Sequence, residues 1–98
     1  MPEDGLVSRI HLSGELICRD PHEAQVVADA LAEHVALTRA EAGCLSFEVV
    51  ATADPLVWHV DERFADAAAY RRHQARVAAS DWGRATAGIQ RRYEVEGL

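Results

Sequence analysis

The chain has no lysine; all 10 of its basic residues are arginine. With no lysine ε-amine, Schiff-base catalysis by a lysine side chain is excluded. Cysteine is scarce. Cys18 and Cys44 form no C-x-x-C, and the pattern predicts two free thiols, not a disulfide framework. Excess positive charge is also missing. The formal net charge is −6, so neither a phosphate backbone nor an anionic bilayer finds electrostatic support for binding. No apolar run approaches the ~20 residues of a membrane span. Met1-Pro2-Glu3-Asp4 lacks the basic start of a signal peptide, so the expectation is a cytoplasmic protein beginning near residue 1. There is no G-x-S-x-G, no glycine-rich phosphate loop and no H-E-x-x-H, and no repeat, linker or low-complexity stretch.

What is present is an ordinary globular composition, 49% hydrophobic and 27% charged. At 98 residues the expectation is a single domain spanning 1–98. Such a domain buries roughly two-thirds of its unfolded surface in one modest core. Residues 7–18 alternate, with Ile10, Leu12, Gly14, Leu16 and Cys18 on one face, which predicts a strand. Gly14 within it marks a bulge or a close backbone approach. Asp20-Pro21-His22-Glu23 predicts a helix start with a capping box, and Gly43 its stop. Two further strands are predicted at 44–50, with Leu45, Phe47 and Val49 inward, and at 56–64, with Trp58, Val60, Glu62 and Phe64 inward. A helix over 67–79 follows, then a short helix capped by Ser80 and a last strand over 89–95. The order strand–helix–strand–strand–helix–strand predicts an α+β, ferredoxin-like split βαβ fold with an antiparallel sheet and helices on one face. Cys18 and Cys44 then fall at opposite ends of the sheet. The polar second sheet face reads as either solvated or a wet interface with another sheet.

The stretch Trp58–His73 concentrates the candidate chemistry. Glu62 lies on an apolar strand face; Tyr70 and His73 lie on the apolar face of the helix that follows. If the two pack together, a carboxylate meets an imidazole in an aromatic setting. His73 reads as a general base titrating near neutrality, or as a core histidine satisfied by one hydrogen bond. Glu62 reads as the group that orients and charge-balances His73, or as half of a structural ion pair with Arg39 or another arginine. Tyr70 reads as an oxyanion donor or as packing. Trp58, Phe64 and Trp82 line either a flat aromatic substrate or the core. His34 reads as core. His59 and Asp61 share a strand face but lack a third ligand, so no metal site is assigned. Arg71, Arg72 and Arg76 are expected in solvent.

Two junctions carry a family resemblance. Thr38-Arg39-Ala40-Glu41-Ala42-Gly43-Cys44-Leu45-Ser46-Phe47 resembles the R-x-E-x-G-C-x-x-F/Y junction of the antibiotic biosynthesis monooxygenases. Glu62-Arg63-Phe64-Ala65-Asp66 followed by His73 resembles their E-x-F/W-x-D…H junction. The resemblance runs from about Ile10 to Val95. It implies a homodimer whose sheets face each other in a dimeric α/β barrel. It also implies a catalytic repertoire that includes cofactor-independent oxygenases of quinols and anthrones, haem-degrading enzymes and an isomerase. The haem-degrading branch has a helical Trp where this chain has His73, and its proximal His has no counterpart after His73. The resemblance therefore points to the quinol-monooxygenase branch, with no cofactor, and with a small aromatic substrate and O₂ as partners. A non-catalytic domain binding a small hydrophobe, in a stress response for example, and an isomerase using the same pocket are the other readings.

Overall fold

The computed structural model describes residues 8–98, so Val7, the start of the predicted first strand, lies outside the described residues. The elements are β1 (Ile10–Ile17), α1 (Pro21–Arg39), β2 (Cys44–Ala51), β3 (Val57–Phe64), α2 (Ala67–Ala78), α3 (Asp81–Ala85) and β4 (Gln90–Glu96). The four strands form one antiparallel sheet in the order β2-β3-β1-β4, the ferredoxin-like arrangement.

Local chemistry sets the helix starts. Asp20 caps α1 by accepting from the Glu23 backbone N–H, with Pro21 at the first position. The capping box differs from its expected form. The Glu23 carboxylate reaches past Asp20, accepts from the Arg19 backbone N–H at 2.7 Å and also binds the Arg19 guanidinium. Asp66 caps α2 by accepting from the Ala69 N–H, and Ser80 caps α3 through the Gly83 N–H. α1 ends at Arg39 with right-handed Ala40 beyond it. Gly43, at φ +88°, comes three residues later and turns the chain into β2, where a Cβ would lie 2.5 Å from that of Ala69. Gly43 is thus a close-packed turn and not the helix cap.

Alternation fixes the inner sheet face. Leu12, Glu62 and Phe47 share one row across β1, β3 and β2; Gly14, Val60 and Val49 share the next, with Tyr93 of β4 beside Gly14. Leu12, Phe47, Val49 and Val60 of these rows pack with Ile10, Leu16 and Phe64 against Val27, Ala69 and Trp82 of the helices. Gly14, at φ +153°, would place a Cβ 2.0 Å from the Arg92 carbonyl oxygen, so it is the close-approach glycine of its two sequence readings. Leu45 is half exposed and not inward. A register shift between Cys44 and Ser46 turns its side chain out of the alternation, while Phe47 and Val49 stay in. On the outer face His11 Nε2 meets Asp61 Oδ2 at 2.9 Å. Cys18 and Cys44 are free thiols. Among the described residues no helix is long and apolar enough to cross a membrane.

Candidate active site

β3 and α2 meet as their patterns require, and they bring Glu62 and His73 together between sheet and helices. Glu62 is 7% exposed and His73 3%. Glu62 Oε1 stands 3.6 Å from His73 Nε2, beyond hydrogen-bond length but within reach of a small side-chain rotation. The His73 ring sits 4.9 Å from that of Phe64 and 5.8 Å from that of Phe47.

A third carboxylate holds the imidazole from the other side. His73 Nδ1 lies 2.7 Å from Glu41 Oε1, on the turn between α1 and β2. Glu41 Oε2 accepts from Arg76 Nε, and Arg76 also donates to Thr38 Oγ1 at 3.0 Å. Arg76 is thus half-buried and engaged, not the solvated residue its place on the helix suggested. Burial works to raise the Glu41 carboxyl, but the hydrogen bonds from Arg76 and His73 outweigh it and hold Glu41 below its ordinary value. An ionised Glu41 accepts the proton on Nδ1, so the neutral ring carries its lone pair on Nε2, facing Glu62. Burial lowers the His73 imidazole, with Arg76 adding to that effect and the Glu41 hydrogen bond opposing it. Burial, reinforced by the charge of Glu41, pushes the Glu62 carboxyl up to about 7. The row Glu41–His73–Glu62 therefore holds an orienting anion, a neutral base and a carboxylic acid poised near neutral pH.

Glu62 and His73 open on a small, partly open cavity of about 50 Å³, whose walls include Phe47, Trp82 and Tyr93 and the exposed residues Gln74 and Arg91. His34 also lines it. Its ring is stacked on Trp82 at 4.3 Å with parallel planes, and burial lowers it to about 3, so it is neutral. Tyr93, pushed up to about 12 by burial, keeps its phenolic proton. Arg91 donates to Thr86 and to the Ile89 carbonyl at one end of this cavity.

The sequence-predicted residues separate accordingly. Trp82 lines the cavity with Glu62 and His73. Phe64 is fully buried behind His73. Tyr70 does not line the cavity; its hydroxyl accepts from Gln74 Nε2 at 2.7 Å and its ring packs on Phe64. Trp58 sits two rows along the sheet from Glu62, paired with Leu16 and Ala51. Arg39, the proposed ion-pair partner of Glu62, instead donates to the Phe47 carbonyl. Sequence reasoning missed Glu41, Tyr93 and Arg91. Arg91 falls on the inward side of β4 by simple alternation with Tyr93; Glu41 lies in the resembling junction but outside any periodic element. Among the described residues no group of three His, Cys, Asp or Glu side chains is placed to hold a metal ion.

A ferredoxin-like α+β domain with a carboxylate-clamped histidine in an aromatic cavity is the class that fold and geometry define. The chain belongs to the antibiotic biosynthesis monooxygenase family, whose pattern its residues 18–85 match. No curated protein matches it. Among solved structures it is similar to Rv0793 from Mycobacterium tuberculosis, with TM-score 0.72 and 20% identity over 93% of this chain and 95% of that one. MupZ from Pseudomonas fluorescens gives TM-score 0.77 and 20% identity over 93% and 69%. SnoaB, a cofactor-independent oxygenase from Streptomyces nogalater, gives TM-score 0.73 and 13% identity over 93% of each chain. At these identities the likeness is one of fold.

Proposed function

We propose that this protein is a cofactor-independent monooxygenase that oxidises a hydroxylated aromatic, quinol- or anthrone-like, with O₂, and that it works as a homodimer. The observation that carries the reading is the neutral His73 imidazole, clamped by Glu41 with its free nitrogen facing the cavity and Glu62. Such chemistry asks the protein for a base, a dry setting and a donor to developing oxygen charge. The family assignment and the oxygenase activity of the similarly folded SnoaB support the class of reaction.

For an anthrone-type CH₂ the steps balance as follows. His73 Nε2 removes one C–H proton, and the ring-stabilised anion passes one electron to O₂. Superoxide and the substrate radical combine, forming the C–O bond of a peroxide. Glu62, a carboxylic acid titrating at about 7, in its protonated form gives its proton to the outer peroxide oxygen as the O–O bond breaks. The second C–H proton passes to the hydroxide released from the peroxide, leaving a C=O group and water, and the proton taken up by His73 returns to Glu62. The substrate's C–H bonds supply all the electrons. Tyr93 takes the donor role that the sequence offered to Tyr70, since it lines the cavity and keeps its phenolic proton.

Oxygen uptake with a panel of quinols and anthrones under ¹⁸O₂ tests the reading. One labelled oxygen in the product and one in water is the expected result. Substrate turnover without oxygen consumption would assign the pocket to isomerisation, and binding without turnover would leave it a carrier.

A further inference from the structure

The cavity at His73 and Glu62 is too small for the substrate class proposed above. Its volume is about 50 Å³, room for a few waters, whereas pockets for drug-sized ligands run ~300–1,000 Å³. A second cleft of about 380 Å³ opens to solvent between α1 and the α2–α3 segment, with Leu37, Arg76, Ala79 and Ser80 in its walls. His34 and Trp82 belong to both linings and form the partition between them.

We propose that this outer cleft is a binding site for the planar hydroxylated aromatic on its way in, and that the stacked His34–Trp82 pair is the doorway to His73. The inference rests on the oxygenase reading for its ligand class. Three observations carry it. The partition is a stack of two flat rings 4.3 Å apart at an interplanar angle of 0°, an arrangement in which a flat ligand can replace either partner. Opening it breaks one aromatic stack, which is remade when the ligand stacks on either ring. Next, the His34 ring is only weakly held. Its Nδ1 is buried with no hydrogen-bond partner, in contrast to the clamped Nδ1 of His73, and a ligand hydroxyl would satisfy it. Finally, the backbone around the doorway is fixed. A Cβ on Gly83 would lie 2.0 Å from the Val77 carbonyl oxygen, and Ser80 and Thr86 tie both ends of α3. The moving parts are therefore two side chains and not the helix.

The probe is 1-naphthol, a flat phenol, followed by imidazole NMR of His34 and His73 and, in a Trp58→Phe background, by fluorescence of Trp82. Naphthol should quench Trp82 and shift both histidines. Leu37→Trp, which narrows the cleft at an exposed helical position that does not line the His73 cavity, should weaken the His73 response at least tenfold. Trp82→Ala should speed release of the probe. A His73 shift with no response at His34 and Trp82, or one untouched by Leu37→Trp, would overturn the doorway while leaving the oxygenase reading standing. So would quenching with no shift at His73, or no binding at all. Entry by this route with no quinol consuming O₂ would instead support the doorway and remove the oxygenase reading.

Discussion

Two histidines face one cavity, and what holds each of them differs. His73 is gripped at Nδ1 by Glu41, itself fixed by Arg76; His34 is held only by stacking and burial. Glu41→Gln should therefore keep the fold but release the ring orientation and the bias toward the Nδ1–H tautomer, lowering turnover by about 10–100-fold, with partial rescue by Glu41→Asp. Glu62 is stabilised in its protonated form in the native state, up to about 7 against an ordinary 4.5. The folded protein keeps that proton while the unfolded chain loses it, so this group costs stability as pH rises from 4.5 through 7. Glu62→Gln should consequently raise stability relative to wild type at pH 8, by up to about 3 kcal/mol, and do so less at pH 5, while reducing turnover. His34 acts in the opposite sense. Held near 3 when folded, it resists a proton that the unfolded chain accepts below 6.5, so stability is lost as pH falls from 6.5 toward 3. Thermal melts of wild type, Glu62→Gln and His34→Phe across pH 4–8 separate the two effects. Glu62 and His73 were legible in the sequence because a polar residue on an apolar stripe demands a partner. Glu41 was not, because a turn carries no periodicity, and Arg76 was misplaced because a long side chain reaches around its helix.

The elements hold that row in place through their ends and their glycines. The α2 cap is the nearest example. Asp66 accepts from the Ala69 N–H, and the helix it starts carries His73 two turns later. Asp66→Ala should cost about 1 kcal/mol, read by denaturant melts, with some loss of activity as the base loses its fixed position. Gly14→Ala should cost more, on the order of 2 kcal/mol or above, because the added Cβ meets backbone and the φ of +153° is unsuited to alanine. Caps and alternation made the order of elements readable, including the inward turn of Val60, Glu62 and Phe64. The bulge that turns Leu45 outward was unreadable, because it arises from pairing with β3 and not from the β2 sequence. The longer reach of Glu23 past Asp20 to Arg19 belongs to the same kind: the motif was visible, but the partner depended on the path of the preceding loop.

For the whole molecule, the uncovered sheet face is the feature that the single chain leaves open. Helices cover one face only, and the other carries His11, Asp61, Arg63 and Glu48 with half-exposed Val50 among them. We expect a homodimer built on this face, giving about twice the 10.7 kDa chain mass by sedimentation at micromolar concentration; a monomer at that concentration would remove the barrel. The central claim, however, concerns His73. Its most direct test is oxygen uptake by wild type and His73→Ala side by side, with the best quinol or anthrone of the panel and with folding checked by circular dichroism. The account predicts a folded variant whose turnover falls roughly 10²–10⁴-fold, the range of general-base catalysis. A folded variant that consumes oxygen at the wild-type rate would contradict it.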